Sequence, residues 1–154
     1  MSTPILEHIA LNIEAAVNAV TEANGFNQDL SAMRPKRNDF YAEAAVDKKV
    51  VVVAGGAELT DSHWLGASQW VQEFILVAFV IDSDEATASI DIRINQVVAD
   101  LRKKLAATPN RGGYALDTNP GDYIKFSDGE GVTGVAVAFD VLYRTKEDDP
   151  YTQN

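Results

Sequence analysis

The 154-residue chain contains no cysteine, which excludes disulfides, thiol nucleophiles and thiolate metal sites together and fits a reducing compartment. Histidine is nearly absent too. His8 lies beside Ile5 and Ile9 in a helical pattern and reads as a structural or surface residue. His63 falls near Asp61 and Trp64 in what reads as a loop. With no second histidine near it in sequence, a zinc or general-base role has no support. No stretch reaches the roughly 18 apolar residues of a membrane span, and the first 30 residues lack a basic start followed by an apolar run, so neither anchor nor secretion signal is expected. Basic charge is scarce: 13 Lys and Arg against 23 Asp and Glu give −10. That balance opposes sequence-independent binding to duplex nucleic acid, which relies on phosphate neutralisation. The one basic cluster, Arg34-Pro35-Lys36-Arg37, is short and reads as a solvated loop.

What is present is the material of one folded domain spanning residues 1–154. Hydrophobic residues make up 46% of the chain and charged residues 23%, with only 10 glycines and 5 prolines, a composition unlike that of disordered chains. A chain of 16.7 kDa folds to a surface of roughly 7,600 Å², enough to enclose a core without staples.

Ile5, Leu6, Ile9, Ile13, Ala16, Val17 and Val20 recur at three- and four-residue spacing and predict an amphipathic helix. Thr3 is its expected cap, Pro4 its first residue and Asn24-Gly25 its stop. Residues 26–49 read as a connector with a short strand before Pro35. Residues 50–54 are β-branched and predict a buried strand ended by Gly55-Gly56, with residues 57–66 as a loop or hairpin edge. Residues 69–81 predict a longer strand. Asp82 and Glu85 have capping-box spacing and are expected to open a second helix, whose stripe is Ile90, Ile94, Val97, Val98, Leu101 and Leu105. After it come a turn at Arg111-Gly112-Gly113, a short strand at 114–116, a turn at 119–122 and a strand at 123–126. A final strand from Val132 to about Thr145 places Val135, Val137, Phe139, Val141 and Tyr143 on one face. The small Ala136 and Ala138 on the other face suggest close approach by a helix.

This order predicts an α+β fold: a mainly antiparallel sheet with two principal helices packed against it, a small α/β sandwich. Along residues 69–81, Val71, Ile75, Val77, Phe79 and Ile81 face one way, and Trp70, Phe74, Leu76, Ala78 and Val80 the other. A sheet with one wet face alternates polar with apolar residues. Here both faces need cover, and two helices are too few, so a subunit interface is expected. A repeated head-to-tail contact stays soluble by closing into a ring.

Catalytic chemistry finds little support. Asp82, Asp84 and Glu85 lack the glycine and ligand spacing of a calcium loop. Gly55-Gly56 and Arg111-Gly112-Gly113 are not followed by the helix that a phosphate cradle needs. Ser68 lacks a nucleophile elbow, and Asp148-Asp149 reads as an acidic tail or interface element.

The residues from Val135 through Ala136, Val137, Ala138, Phe139, Asp140, Val141 and Leu142 to Tyr143-Arg144-Thr145, followed by Asp149-Pro150-Tyr151, resemble the close of bacteriophage tail terminator (tail completion) proteins, the family that includes the lambda tail terminator. The helix at 5–20, the Gly25-Phe26 break, residues 50–58, the strand at 70–81 and the helix at 90–105 extend the resemblance over nearly the whole chain. It implies a non-enzymatic virion protein without cofactor or metal, at the head-proximal end of the tail and in the host cytoplasm during assembly. Such a protein forms a ring, typically a hexamer, that caps the tail tube, ends tube polymerisation and offers the tail-side surface for head-tail joining. The implied partners are other copies of itself, the tail tube protein, neck or head-completion proteins and, in contractile tails, the sheath, while DNA passes through the channel without specific binding. Acidic side chains facing that channel would repel phosphates. The expected subunit-interface residues are Trp70, Phe74, Tyr143, Arg144, Asp149 and Tyr151, with Arg144 suited to a bidentate carboxylate contact and residues 146–154 extending as a tail onto a neighbour. The alternatives are a neck connector or head-tail joining protein and, from another class, a small metal-dependent hydrolase built from carboxylates distant in sequence or a monomeric ligand-binding domain.

Overall fold

Three- and four-residue apolar spacing winds the first segment into helix α1 (Ile5–Asn18), whose Ile5, Ile9, Ala10, Ile13, Ala16 and Val17 are buried, as an amphipathic stripe requires. The computed structural model describes residues 2–36, 44–64, 66–81 and 88–153, with the backbone alone for 61–64. Pro4, not Thr3, occupies the capping position and supplies no side-chain acceptor. The helix also stops earlier than Gly25. A separate 3₁₀ turn at Glu22–Asn24 follows, in which the Thr21 side chain accepts from the Asn24 N–H and Gly25 takes a left-handed φ of 87°.

Five strands follow the expected order with different bounds: β1 (Ser31–Met33), β2 (Lys49–Trp64), β3 (Ala67–Ile81), β4 (Asp117–Ser127) and β5 (Val132–Lys146), with helix α2 (Ile90–Ala107) between β3 and β4. They form one sheet in the order β1-β2-β3-β5-β4. Only the β1–β2 pair is parallel. The fold is a small α+β domain with a mostly antiparallel sheet and two principal helices.

Four boundaries differ from expectation, each for a local reason. Gly55-Gly56 does not end β2. The register shifts between Ala54 and Ala57, and the Gln72 side-chain amide donates to the Gly55 carbonyl at 2.8 Å, so the pair forms a bulge and the strand continues. His63 therefore lies on a strand, not in a loop. Helix α2 opens at Ile90, where the Ser89 hydroxyl accepts from the Ile92 N–H at 3.4 Å; the proposed capping pair Asp82 and Glu85 lies outside the described residues. Strand β4 runs straight through 119–122, absorbing the expected turn as a register shift between Pro120 and Tyr123. The expected strand at 114–116 is absent; these residues link a 3₁₀ turn at Arg111–Gly113 to β4, which begins at Asp117.

Both helices cover the same face of the sheet. One continuous core joins Ile9 and Ile13 of α1, Val97 and Leu101 of α2, and Phe74, Leu76, Val137 and Phe139 of the central strands. On the opposite face Val71, Ile75, Val77, Ala136, Ala138 and Leu142 are only half-buried. Ala136 and Ala138 thus do not meet a helix. Ala138 instead lies under the bulge of β4, where a Cβ on Gly121 would sit 3.3 Å from its own. One end of this open face carries a small second cluster of Ala44, Val51 and Phe79 with Val77 and Phe126 against it. There Gly134 stands between its strand partners Phe79 and Phe126. Its missing side chain lets the two rings meet edge to face at 5.7 Å, because a Cβ would come within 2.5 Å of Phe126 and 2.3 Å of the Ala78 carbonyl oxygen.

Candidate interaction surfaces

The six residues singled out in the sequence fall in three places. Phe74 is 1% exposed and belongs to the core, so in this conformation its ring offers nothing to a neighbour. Its β3 position puts it on the face that both helices cover.

Arg144 lies on the open face. It pairs with Gln69 across β3 and β5, and its Nε donates to the Gln69 Oε1 at 2.9 Å. Farther along the same face, Glu73 and Asp140 stand opposite each other. With Glu58, Val71 and Gly56 they line a shallow hollow of about 300 Å³. No three His, Cys, Asp or Glu residues among the described ones come together as a group able to hold a metal ion. The open face is therefore an apolar field of Val71, Ile75 and Leu142 with a negative patch at its centre.

Trp70, Tyr143 and Tyr151 meet on the helix side of the sheet. Trp70 and Tyr143 are strand partners, and the indole N–H of Trp70 donates to Thr145 Oγ1 at 3.4 Å. With Pro4, Leu6 and Pro150 they surround an apolar hollow of about 240 Å³ beside the start of α1. Burial raises the Tyr143 phenol above its ordinary pKa by penalising the charged form.

The C-terminal residues close this hollow instead of extending away. The Pro150 carbonyl accepts from the Ile5 N–H at 3.1 Å, and the Thr152 carbonyl from the Lys146 N–H at 2.7 Å. Asp149 organises the turn: its carboxylate accepts from the Thr152 hydroxyl at 2.7 Å and from the Tyr151 N–H at 3.1 Å. These bonds, the hydroxyl first and the amide second, hold its pKa below the ordinary carboxylate value. Sequence patterning cannot show a turn of this kind, since it depends on the chain end meeting Ile5 across the fold.

Among the described residues two charged side chains, Asp100 and Arg111, are buried, which their sequence context does not reveal. Asp100, on the apolar side of α2, is buried and accepts from the backbone and side-chain N–H of Asn27 at 3.1 and 3.0 Å, tying the connector to the helix. Arg111 is fully buried and donates to the Leu105 and Thr108 carbonyls at the end of α2; desolvation lowers its pKa to about 10. Both serve the fold. His8 stacks on Tyr114 with ring centroids 4.4 Å apart, a packing role in keeping with its sequence context. Neither a protein-family model nor a curated protein sequence matches the chain.

Proposed function

We propose that this chain is a structural protein that assembles through its open sheet face into a ring capping a phage tail tube, as its resemblance to tail terminators implies. The observation carrying this reading is the half-buried apolar field of Val71, Ile75, Val77 and Leu142, which lies on the side of the sheet away from both helices. Apolar area of this kind is stabilised by removal from water, at about 25 cal/mol per Å², and the chain's helices are already committed to the other face. Two chemically different edges, β1–β2 and β4, bound the sheet, so neighbouring copies would meet head to tail, the geometry that closes into a ring.

The test is electron microscopy of tail tubes mixed with the purified protein, beside a parallel mixture with tail-free heads. Rings on tube ends, together with arrested tube growth, are the expected result. Binding to heads alone would assign the protein to the neck as a connector, and tubes that keep growing uncapped would overturn the terminator reading.

A further inference from the structure

The outer edge of β2 is open over most of its length among the described residues. β1 pairs only with positions 49–51, while β2 continues to Trp64. At Ala57, Glu58 and Leu59 the strand is regularly paired with Gln72, Val71 and Trp70 on its inner side, and all three are exposed. An open strand edge presents a row of backbone donors and acceptors that only another extended chain matches.

Side chains on this edge adjoin two hollows. Ala57 lines the apolar hollow of about 240 Å³ formed with Leu6, Trp70 and Tyr143. Leu59, 47% exposed, lines a second of about 390 Å³ with Trp70 and Pro150. The rim of the second hollow is acidic. Glu147, Asp148 and Asp149 border it with Lys146 as the one cation among its lining residues, and the Asp149 carboxylate is fixed in place by its own turn.

We propose that the β2 edge around residues 57–59 is a docking site for an extended segment of another polypeptide, added as a further strand. That segment places an apolar side chain into the Trp70–Tyr143 hollow and a lysine or arginine against the acidic rim. Backbone complementarity fixes the strand form, the hollow the apolar residue, and the rim the charge. A second copy of this chain is the poorer occupant, since at −10 it brings like charge to the rim. Its two hollows lie on the helix side of the sheet, while Glu58 of the same edge turns toward the open face, so a docked segment and the ring contact share the β2 edge but not the hollows.

The probe is an acetylated, amidated seven-residue peptide alternating valine and threonine, with a central phenylalanine and two lysines, titrated into the full-length protein and followed by amide NMR. Shifts and slowed amide exchange confined to residues 57–59 and the Trp70 indole are expected. Binding should weaken at least tenfold when alternate peptide amides are N-methylated, when the lysines become glutamates, and in Ala57→Trp, which fills the hollow from an exposed position. No perturbation at millimolar peptide, or equal binding by the N-methylated peptide, would overturn the proposal. So would self-association of the free protein that Ala57→Trp abolishes, since the occupant would then be a second copy.

Discussion

Glu73 of β3 stands directly opposite Asp140 of β5, in register on the sheet face that the helices leave open. Like charges directly opposite on paired strands destabilise a sheet, and no ion pair among the described residues involves either of these two. Asp140→Asn is therefore expected to raise stability by about 0.2–1 kcal/mol, read as a higher urea midpoint with an unchanged slope. A lower midpoint would mean that the isolated chain uses this carboxylate in its fold. Where the acidic patch contributes to assembly, the same substitution should stabilise the monomer while impairing the cap, a separation that two assays on one preparation would show.

Among the glycines, Gly134 has the least room for a side chain. Adding one methyl group there forces apart the Ala78 carbonyl, the Phe126 ring and the strand itself, and overpacking of this kind costs about 1–3 kcal/mol or more. Gly134→Ala should lower the thermal midpoint substantially. Gly56→Ala is the control, since nothing lies within 4 Å of a Cβ at Gly56, and it should leave the midpoint nearly unchanged.

Tyr143 makes stability fall in alkali. Its folded pKa is raised above the ordinary value of 10.0, so below that value the phenol is neutral in both states and the full contribution is present. As pH climbs past 10.0, the unfolded phenol ionises first, and the contribution is lost as pH approaches the folded pKa. Ultraviolet titration of the five tyrosines should show one ionising later than the rest, and Tyr143→Phe should remove that late step. An unchanged late step would place the raised phenol elsewhere.

Asp149 works in the opposite sense. Its folded pKa is depressed, so its contribution is present above the ordinary carboxylate value and is lost as pH falls through the folded one. On acidification the C-terminal turn should open before the sheet does. Amide exchange at Tyr151 and Thr152 measures this, and Asp149→Ala should produce the same opening at neutral pH.

Leu142 and Arg144 test the assembly proposal. Both lie on the open face and are only half-buried, so Leu142→Asp and Arg144→Ala should leave the monomer folded while weakening the ring and its hold on tube ends. Unchanged ring mass and tube capping in both variants would remove this face from the interface.

Local physics was legible in the sequence. Helical spacing alone identifies Ile5, Ile9, Ile13 and Val17, and Ile94, Val97, Leu101 and Leu105, as buried. Strict alternation likewise puts Val135, Val137, Phe139, Val141 and Tyr143 on one face of β5, because side-chain periodicity follows from backbone geometry. What periodicity cannot carry is which face the helices choose, and that choice decided which candidates were available. It buried Phe74, left Leu142 and Arg144 half-open, and gathered Trp70, Tyr143 and Tyr151 around one hollow. Glycine and proline misled where tertiary contacts outweighed them, as when the Gln72 amide bonded the Gly55 carbonyl and β2 continued. The return of the C-terminus to Ile5 and the alignment of Glu73 with Asp140 join residues distant in sequence. Such relationships arise only when strands pair across the fold, so the tertiary structure alone could decide them.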